Sequence, residues 1–194
     1  MWTKEFFGMD VYHIVTAFFV YSVLGWLVES IYMSFCNRKL TNRGFAKGPF
    51  CPIYGFGAVI GYIVLHPLKG NVVLLYFTGA ILATVFEYLV GLAMKKIFGI
   101  VWWDYNNKPF NYKGMICLES TVAWGFYAII IVFFLHKAVL SLIDSHQVLF
   151  NRNLILVLYG LVAIDYVFQI CRALNIDLKE KIEDKYMAIK ARWY

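Results

Sequence analysis

The sequence predicts an all-α fold, a polytopic membrane helical bundle of about five transmembrane helices. Three observations carry that expectation. Of the 194 residues, 61% are hydrophobic and only 15% charged, too little polarity to coat a soluble domain of this length. The apolar residues gather into runs near the roughly 20 residues needed to cross about 30 Å of hydrocarbon. The basic residues fall alternately on the segments between those runs, fourteen to one side and four to the other.

The first run covers residues 11–35. One lysine, Lys4, precedes it, and it continues through Trp26 without a small-residue cleavage pattern, so it reads as an uncleaved span rather than a signal peptide. The loop that follows, Thr41-Asn42-Arg43-Gly44-Phe45-Ala46-Lys47-Gly48-Pro49-Phe50-Cys51-Pro52, sets bulky aromatics beside turn formers, which argues against a flexible linker. The second run, 48–66, reaches a usable length only if it begins near Gly48. Its Gly57 and Gly61 have the Gly-x-x-x-Gly spacing of close helix packing. The third run, 72–94, leads into a second aromatic loop, Trp102-Trp103-Asp104-Tyr105 through Asn111 to Gly114. The fourth and fifth cover 115–135 and 153–170, so residues 1–176 form the transmembrane bundle. Beyond it, Leu178, Ile182, Tyr186, Ile189 and Trp193 share one helical face while most lysines lie elsewhere. That pattern predicts a cytoplasmic amphipathic tail helix over 177–194, lying on anionic lipid or packed against the inner loops.

Lysine and arginine mark cytoplasmic loops. The rich side holds Arg38, Lys39, Arg43 and Lys47, then Lys95, Lys96, Lys108 and Lys113, then Arg172 and the five basic residues of the tail; the poor side holds Lys4, Lys69, Lys137 and Arg152. The expected protein is therefore multi-pass in the cell membrane, N-terminus outside and C-terminus cytoplasmic. The net charge of +6 follows from this asymmetry and calls for no nucleic-acid partner. On the same topology Cys36, Cys51, Cys117 and Cys171 lie at cytoplasmic helix ends, and His13, His66, His136 and His146 on the outer side. A Cys–His nucleophilic pair is then excluded, and disulfides are not expected in a reducing compartment. No Cys-x-x-Cys pair supports zinc, so neither metal nor cofactor is expected. No Gly-x-x-x-x-Gly-Lys-Ser/Thr loop occurs, so the chain does not itself bind ATP in the P-loop manner.

A weak repeat links runs one and two with runs three and four. Each unit has a late glutamate, Glu29 or Glu87, then Lys-Gly-x-x-Cys ending at Cys51 or Cys117, and Leu-His at Leu65-His66 or Leu135-His136. The units share one orientation, so a duplication axis would run along the membrane normal. Glu29, Glu87, Glu119 and Asp165 are acids within or at the ends of apolar runs, where a charge at the span centre costs about 2.5–3.5 kcal/mol on insertion scales. Such acids persist when paired, hydrated or functional. If the two inner loops fold back between the helix ends, Glu29, Asn42, Arg43, Glu87, Trp103, Asp104, Tyr105 and Asn111 form one binding pocket on the cytoplasmic side, with Arg43 paired to a glutamate. The alternative is a set of structural ion pairs with Arg43, Lys47, Lys113 or Arg172, and an interfacial belt of Trp102, Trp103 and Tyr105. No catalytic residue is singled out.

The strings Asn42-Arg43-Gly44-Phe45, Gly48-Pro49-Phe50-Cys51-Pro52-Ile53-Tyr54-Gly55, Phe86-Glu87-Tyr88 and Trp102-Trp103-Asp104-Tyr105, with Glu29, Asn111 and the Gly114 to Leu118 segment, are those of a known family. Over residues 17–136 the chain resembles the bacterial type IV ABC-transporter permeases labelled CmpB. The resemblance implies a transporter permease subunit working with a separate ATPase or other partner. Five spans are few for a complete transporter, which adds partners or a homo-oligomer to that expectation. The residues themselves leave two alternatives. One is a membrane-embedded enzyme acting on a lipid or polar headgroup at the cytoplasmic face, with Glu29 or Glu87 as acid or base and Arg43 holding an anionic group. The other is a non-catalytic membrane scaffold.

Overall fold

The computed structural model describes residues 2, 5–6, 9–42 and 44–174; Arg43 and the tail over 177–194 lie outside the described residues. A two-residue hairpin, β1 (Glu5–Phe6) against β2 (Met9–Asp10), precedes five helices. These are α1 (Val11–Asn37), α2 (Pro52–Leu65), α3 (Val72–Phe98), α4 (Leu118–Ser145) and α5 (Arg152–Ala173). Four of them, α1, α3, α4 and α5, are long and apolar enough to cross a membrane. At 1.5 Å per residue α1 and α3 each reach about 40 Å. Their outward faces carry large apolar side chains, with Val73, Ile81, Leu89, Phe134, Leu161 and Phe168 more than half exposed. Hydrocarbon is the solvent that matches such a surface. The fold is a helical membrane bundle.

Capping residues bound the helices where the sequence changes character. Asp10 accepts from the His13 N–H at 2.8 Å, Asn71 from Leu74 at 3.0 Å and Asn151 from Leu154 at 2.9 Å, each satisfying an orphan donor of α1, α3 or α5. Gly99 closes α3 with φ of 74°, a left-handed turn that costs glycine nothing. Cysteines occupy the N-cap positions of both α2 and α4. Pro52 follows Cys51 at the first position of α2, where its missing N–H is no loss.

The bundle is built from two helix pairs, α1 with α2 and α3 with α4, and glycines set their close approach. A Cβ at Gly25 would overlap the Tyr54 ring, one at Gly55 the Ser22 hydroxyl, one at Gly79 the Ala128 methyl and one at Gly125 the Tyr76 ring. The Gly57 and Gly61 spacing does not make the seam expected of it. Gly57 meets only Phe86, at 3.9 Å, and nothing lies within 4 Å of a Cβ at Gly61. The seam of α2 runs instead through Gly55 and Ala58, one face round. Ala17, Val20, Tyr21, Ala58, Val59, Val139 and Ile143 form one apolar core, and Leu65, Leu75, Ala128 and Val132 a second.

Both pairs have an overreaching first helix. The Cys51 N–H donates to the Ser22 carbonyl at 3.0 Å, so α2 begins beside the middle of α1. From Gly25, which faces Tyr54, α1 continues to Asn37 for about 18 Å. In the second pair Glu87 faces Ser120 near the start of α4, and α3 continues to Phe98 for about 16 Å. The chain must therefore fold back along each overhang before its second helix starts. That is why α2 has 14 residues, about 21 Å, and begins at Pro52 rather than near Gly48; it continues as a 3-10 segment, His66–Gly70.

At the opposite end α4 does not stop near 135. It passes through a π-helical turn, Ile131–Leu135, and resumes as α-helix to Ser145. Helix α5 is held from the side: Tyr159 donates to the Val15 carbonyl at 2.8 Å, and Tyr166 to the Phe50 carbonyl at 3.2 Å.

Candidate functional site

Glu87 is the most deeply placed acid among the described residues, 6% exposed on the face of α3 that meets α4. Three neutral donors converge on its carboxylate. Tyr105 Oη donates to Oε1 at 3.0 Å, while Trp124 Nε1 and Ser120 Oγ donate to Oε2 at 3.0 and 3.3 Å. Two come from α4 at positions one turn apart, and the third comes from the loop after α3. The loop is braced to deliver it. Trp103 Nε1 donates to the Met115 carbonyl at 2.7 Å, and the Tyr105 N–H to the Gly114 carbonyl at 2.9 Å. Gly114 turns there with φ of 68°, and a Cβ on it would strike Asn106. Burial, with Glu87 and Glu29 nearby, holds the Tyr105 phenol protonated well above the ordinary tyrosine range.

The first pair repeats this arrangement with different chemistry. Glu29, on α1, accepts from Tyr54 Oη at 2.8 Å. Tyr54 stands three residues after the N-cap Cys51, as Ser120 stands three residues after the N-cap Cys117. In each pair, then, a hydroxyl in the first turn of the second helix reaches the glutamate of the first. Tyr105 lies within electrostatic reach of both Glu29 and Tyr54. The loops also meet: Phe45 stacks on Trp102 with centroids 4.5 Å apart and planes 12° from parallel. The Leu-His ends of the two units differ, since His66 follows the last residue of α2 whereas His136 lies inside α4.

Of the eight residues read as a pocket, Tyr105 bonds Glu87, while Glu29 bonds Tyr54 of its own helix pair. Trp103, Asp104 and Asn111 bond within their loop, and Asn42 bonds its own loop and Trp26 of α1. Asn42 accepts from Trp26 Nε1 at 2.6 Å and donates to the Lys47 carbonyl. Asp104 is exposed and accepts from the backbone and side chain of Asn106, an Asx turn. Asn111 donates to the Asn106 and Lys108 carbonyls and accepts from the Gly114 N–H. Arg43 and its expected pairing lie outside the described residues. The remaining two acids hold structural positions. Glu119 is exposed and pairs with Lys108 at 2.8 Å, which holds that ammonium above the usual lysine range. Asp165 accepts from the Gly48 N–H at 2.8 Å and ties α5 to the first loop.

Sequence reasoning missed Tyr54, Ser120 and Trp124. A signal for two of them was present: Tyr54 and Ser120 occupy the same place relative to the repeated Lys-Gly-x-x-Cys. Residues 16–170 match the family described as Putative ABC-transporter type IV. The chain belongs to that family. The match extends past the resembling strings into α5, so that helix is part of the family's common body. No curated protein and no solved structure matches the chain.

Proposed function

We propose that the chain is the permease-type subunit of a membrane transporter, working with a separate ATPase. In this reading its N-terminus lies outside the cell and the Glu29–Tyr54 and Tyr105–Glu87 clusters face the cytoplasmic half of the bundle. Membership of an ABC-transporter family supports a transport role, and the lack of a P-loop motif in this sequence fits a separate ATPase. The observation that carries the site is Glu87, buried in a membrane helix on three neutral donors. An acid placed so deep is costly, and such acids in membrane bundles mark polar cargo or ion paths. The cargo this chemistry fits is polar, presenting a cation or several hydrogen-bond donors to the carboxylates.

The test is purification of the tagged full chain from its own membranes. The expected result is co-purification of a P-loop ATPase and ATP hydrolysis by the complex. Glu87→Gln should preserve the assembly and abolish transport-linked function. A chain that isolates without any ATPase, from membranes where the ATPase is expressed, would sink the permease reading.

A further inference from the structure

A second polar feature lies at the other end of the bundle, about as far from Glu87 as the helices allow. The 3-10 segment His66–Gly70 turns the chain from α2 into α3, and the last ten residues of α4 rise past it. Between them opens a cleft of about 590 Å³, within the range of small-molecule sites. Its walls have two characters. Tyr62, Phe133 and Leu140 give an apolar side, while Lys69, Lys137 and Ser141 give a cationic and hydroxylic one.

Each wall is built rather than incidental. The π-helical turn Ile131–Leu135 carries Val132 and Phe133 onto the cleft, and single π-turns of this kind recur at functional sites. Beyond it α4 is amphipathic. His136, Val139 and Ile143 are buried, while Lys137, Ser141 and Asp144, one or two turns apart, line the cleft. His136 forms the floor and is fully engaged, with Nδ1 on Tyr21 Oη at 2.9 Å, Nε2 on Met9 Sδ at 3.1 Å and its ring under Tyr62 at 3.5 Å between centroids.

The charges are out of balance. Among the described residues only Lys69, Lys137 and Arg152 are basic at this end, and two of the three face this one cleft. The cleft's single carboxylate, Asp144, is bonded to His13 Nε2 at 3.0 Å. Among the described residues neither lysine has a carboxylate within ion-pair distance; Lys69 lies over the Phe133 ring instead, 5.5 Å from its centroid. Two like charges on the walls of a concave, partly apolar site attract an anion and focus its field.

We propose that this cleft is a binding site for an amphiphilic oxyanion, a phosphate or carboxylate seated between Lys69 and Lys137 with its apolar portion against Tyr62 and Phe133. The site is independent of the glutamate clusters and stands whether or not the chain is a permease. The oxyanion belongs either to a lipid headgroup or to a soluble molecule, and the experiment separates them. The full chain is placed in phosphatidylcholine nanodiscs and titrated with phenyl phosphate by calorimetry. In parallel it is placed in nanodiscs containing phosphatidylglycerol, and retained lipid is read by native mass spectrometry.

Saturable binding is expected in at least one arm. Phenyl phosphate binding assigns a soluble ligand; selective phosphatidylglycerol retention without it assigns a headgroup. In either arm the Lys69→Gln, Lys137→Gln double variant should lose about tenfold or more in affinity. Arginine at both positions should restore it. Both lysines are exposed, so these variants fold as the parent does, which gel filtration checks. No saturable binding in either arm, or binding that the glutamine variant leaves unchanged, would overturn the proposal.

Discussion

Replacing Glu87 separates hydrogen bonding from charge, and the structure sets the size of each effect. Glu87→Ala removes the acceptor of Tyr105, Trp124 and Ser120 together. A buried donor left unsatisfied costs about 1–3 kcal/mol, though interhelical bonds inside membranes average nearer 0.6 kcal/mol because the unfolded chain finds partners too. Three stranded donors and a small void then amount to roughly 2–6 kcal/mol. Glu87→Gln is different. Its amide oxygen can take the place of Oε2 and accept from Trp124 and Ser120, while the Tyr105 hydroxyl turns to accept from the amide nitrogen. The glutamine variant therefore loses charge assistance and the acceptor of one hydroxyl proton, that of Tyr105, about 1–3 kcal/mol in all. The assay is equilibrium unfolding of the full chain in mixed micelles, followed by far-UV circular dichroism. The expected order is parent, then glutamine, then alanine, with alanine at least ~1 kcal/mol below glutamine. Equal stabilities for the two variants would refute the claim that three donors depend on this carboxylate.

Three further outcomes follow from the packing and the loops. Gly79→Val should cost about 1–3 kcal/mol in the same assay, because its side chain would displace Ala128, whereas Gly61→Ala should be nearly neutral. Asp165→Ala should release the first loop from α5, seen as faster protease cleavage between Lys39 and Lys47, while Asp104→Ala, which breaks only an exposed Asx turn, should leave cleavage unchanged. A chain retaining only the exposed Cys36 should resist an impermeant thiol reagent outside intact cells, and one carrying only Ser145→Cys should label; the reverse pattern would invert the proposed orientation.

Hydropathy made the helices legible because lipid-facing and core-facing residues are both apolar in a membrane bundle. The same uniformity hid their rotation. Gly57 and Gly61 stood out as a spacing, yet the close contacts fall at Gly25, Gly55, Gly79 and Gly125, where an opposing residue is large enough to need room. Periodicity cannot tell those positions apart when every face is apolar. The last ten residues of α4 were lost for the opposite reason. Lys137, Ser141 and Asp144 lower the mean hydropathy past 135, although His136, Val139 and Ile143 keep a buried helical stripe. A test for period rather than mean would have continued the helix to Ser145.

The candidate site was half legible for a related reason. A glutamate in an apolar run is visible at once, since its insertion cost is known. Its partners are not, because tyrosine, serine and tryptophan are ordinary residues in such runs. What picks them out is register: the structure sets the first turn of each second helix against the glutamate of the first, and the loops fold back to allow it. Polar residues in those loops looked equally promising in the sequence. Asn42, Asp104 and Asn111 nonetheless spend their hydrogen bonds holding the loop backbone, which must turn sharply to re-enter beside the overhanging helix. Loops that enter a bundle cannot leave backbone groups unpaired in hydrocarbon, so part of their polarity is structural by necessity. Functional polarity in this chain is therefore to be sought on the helix faces that those loops uncover, and less in the loops themselves.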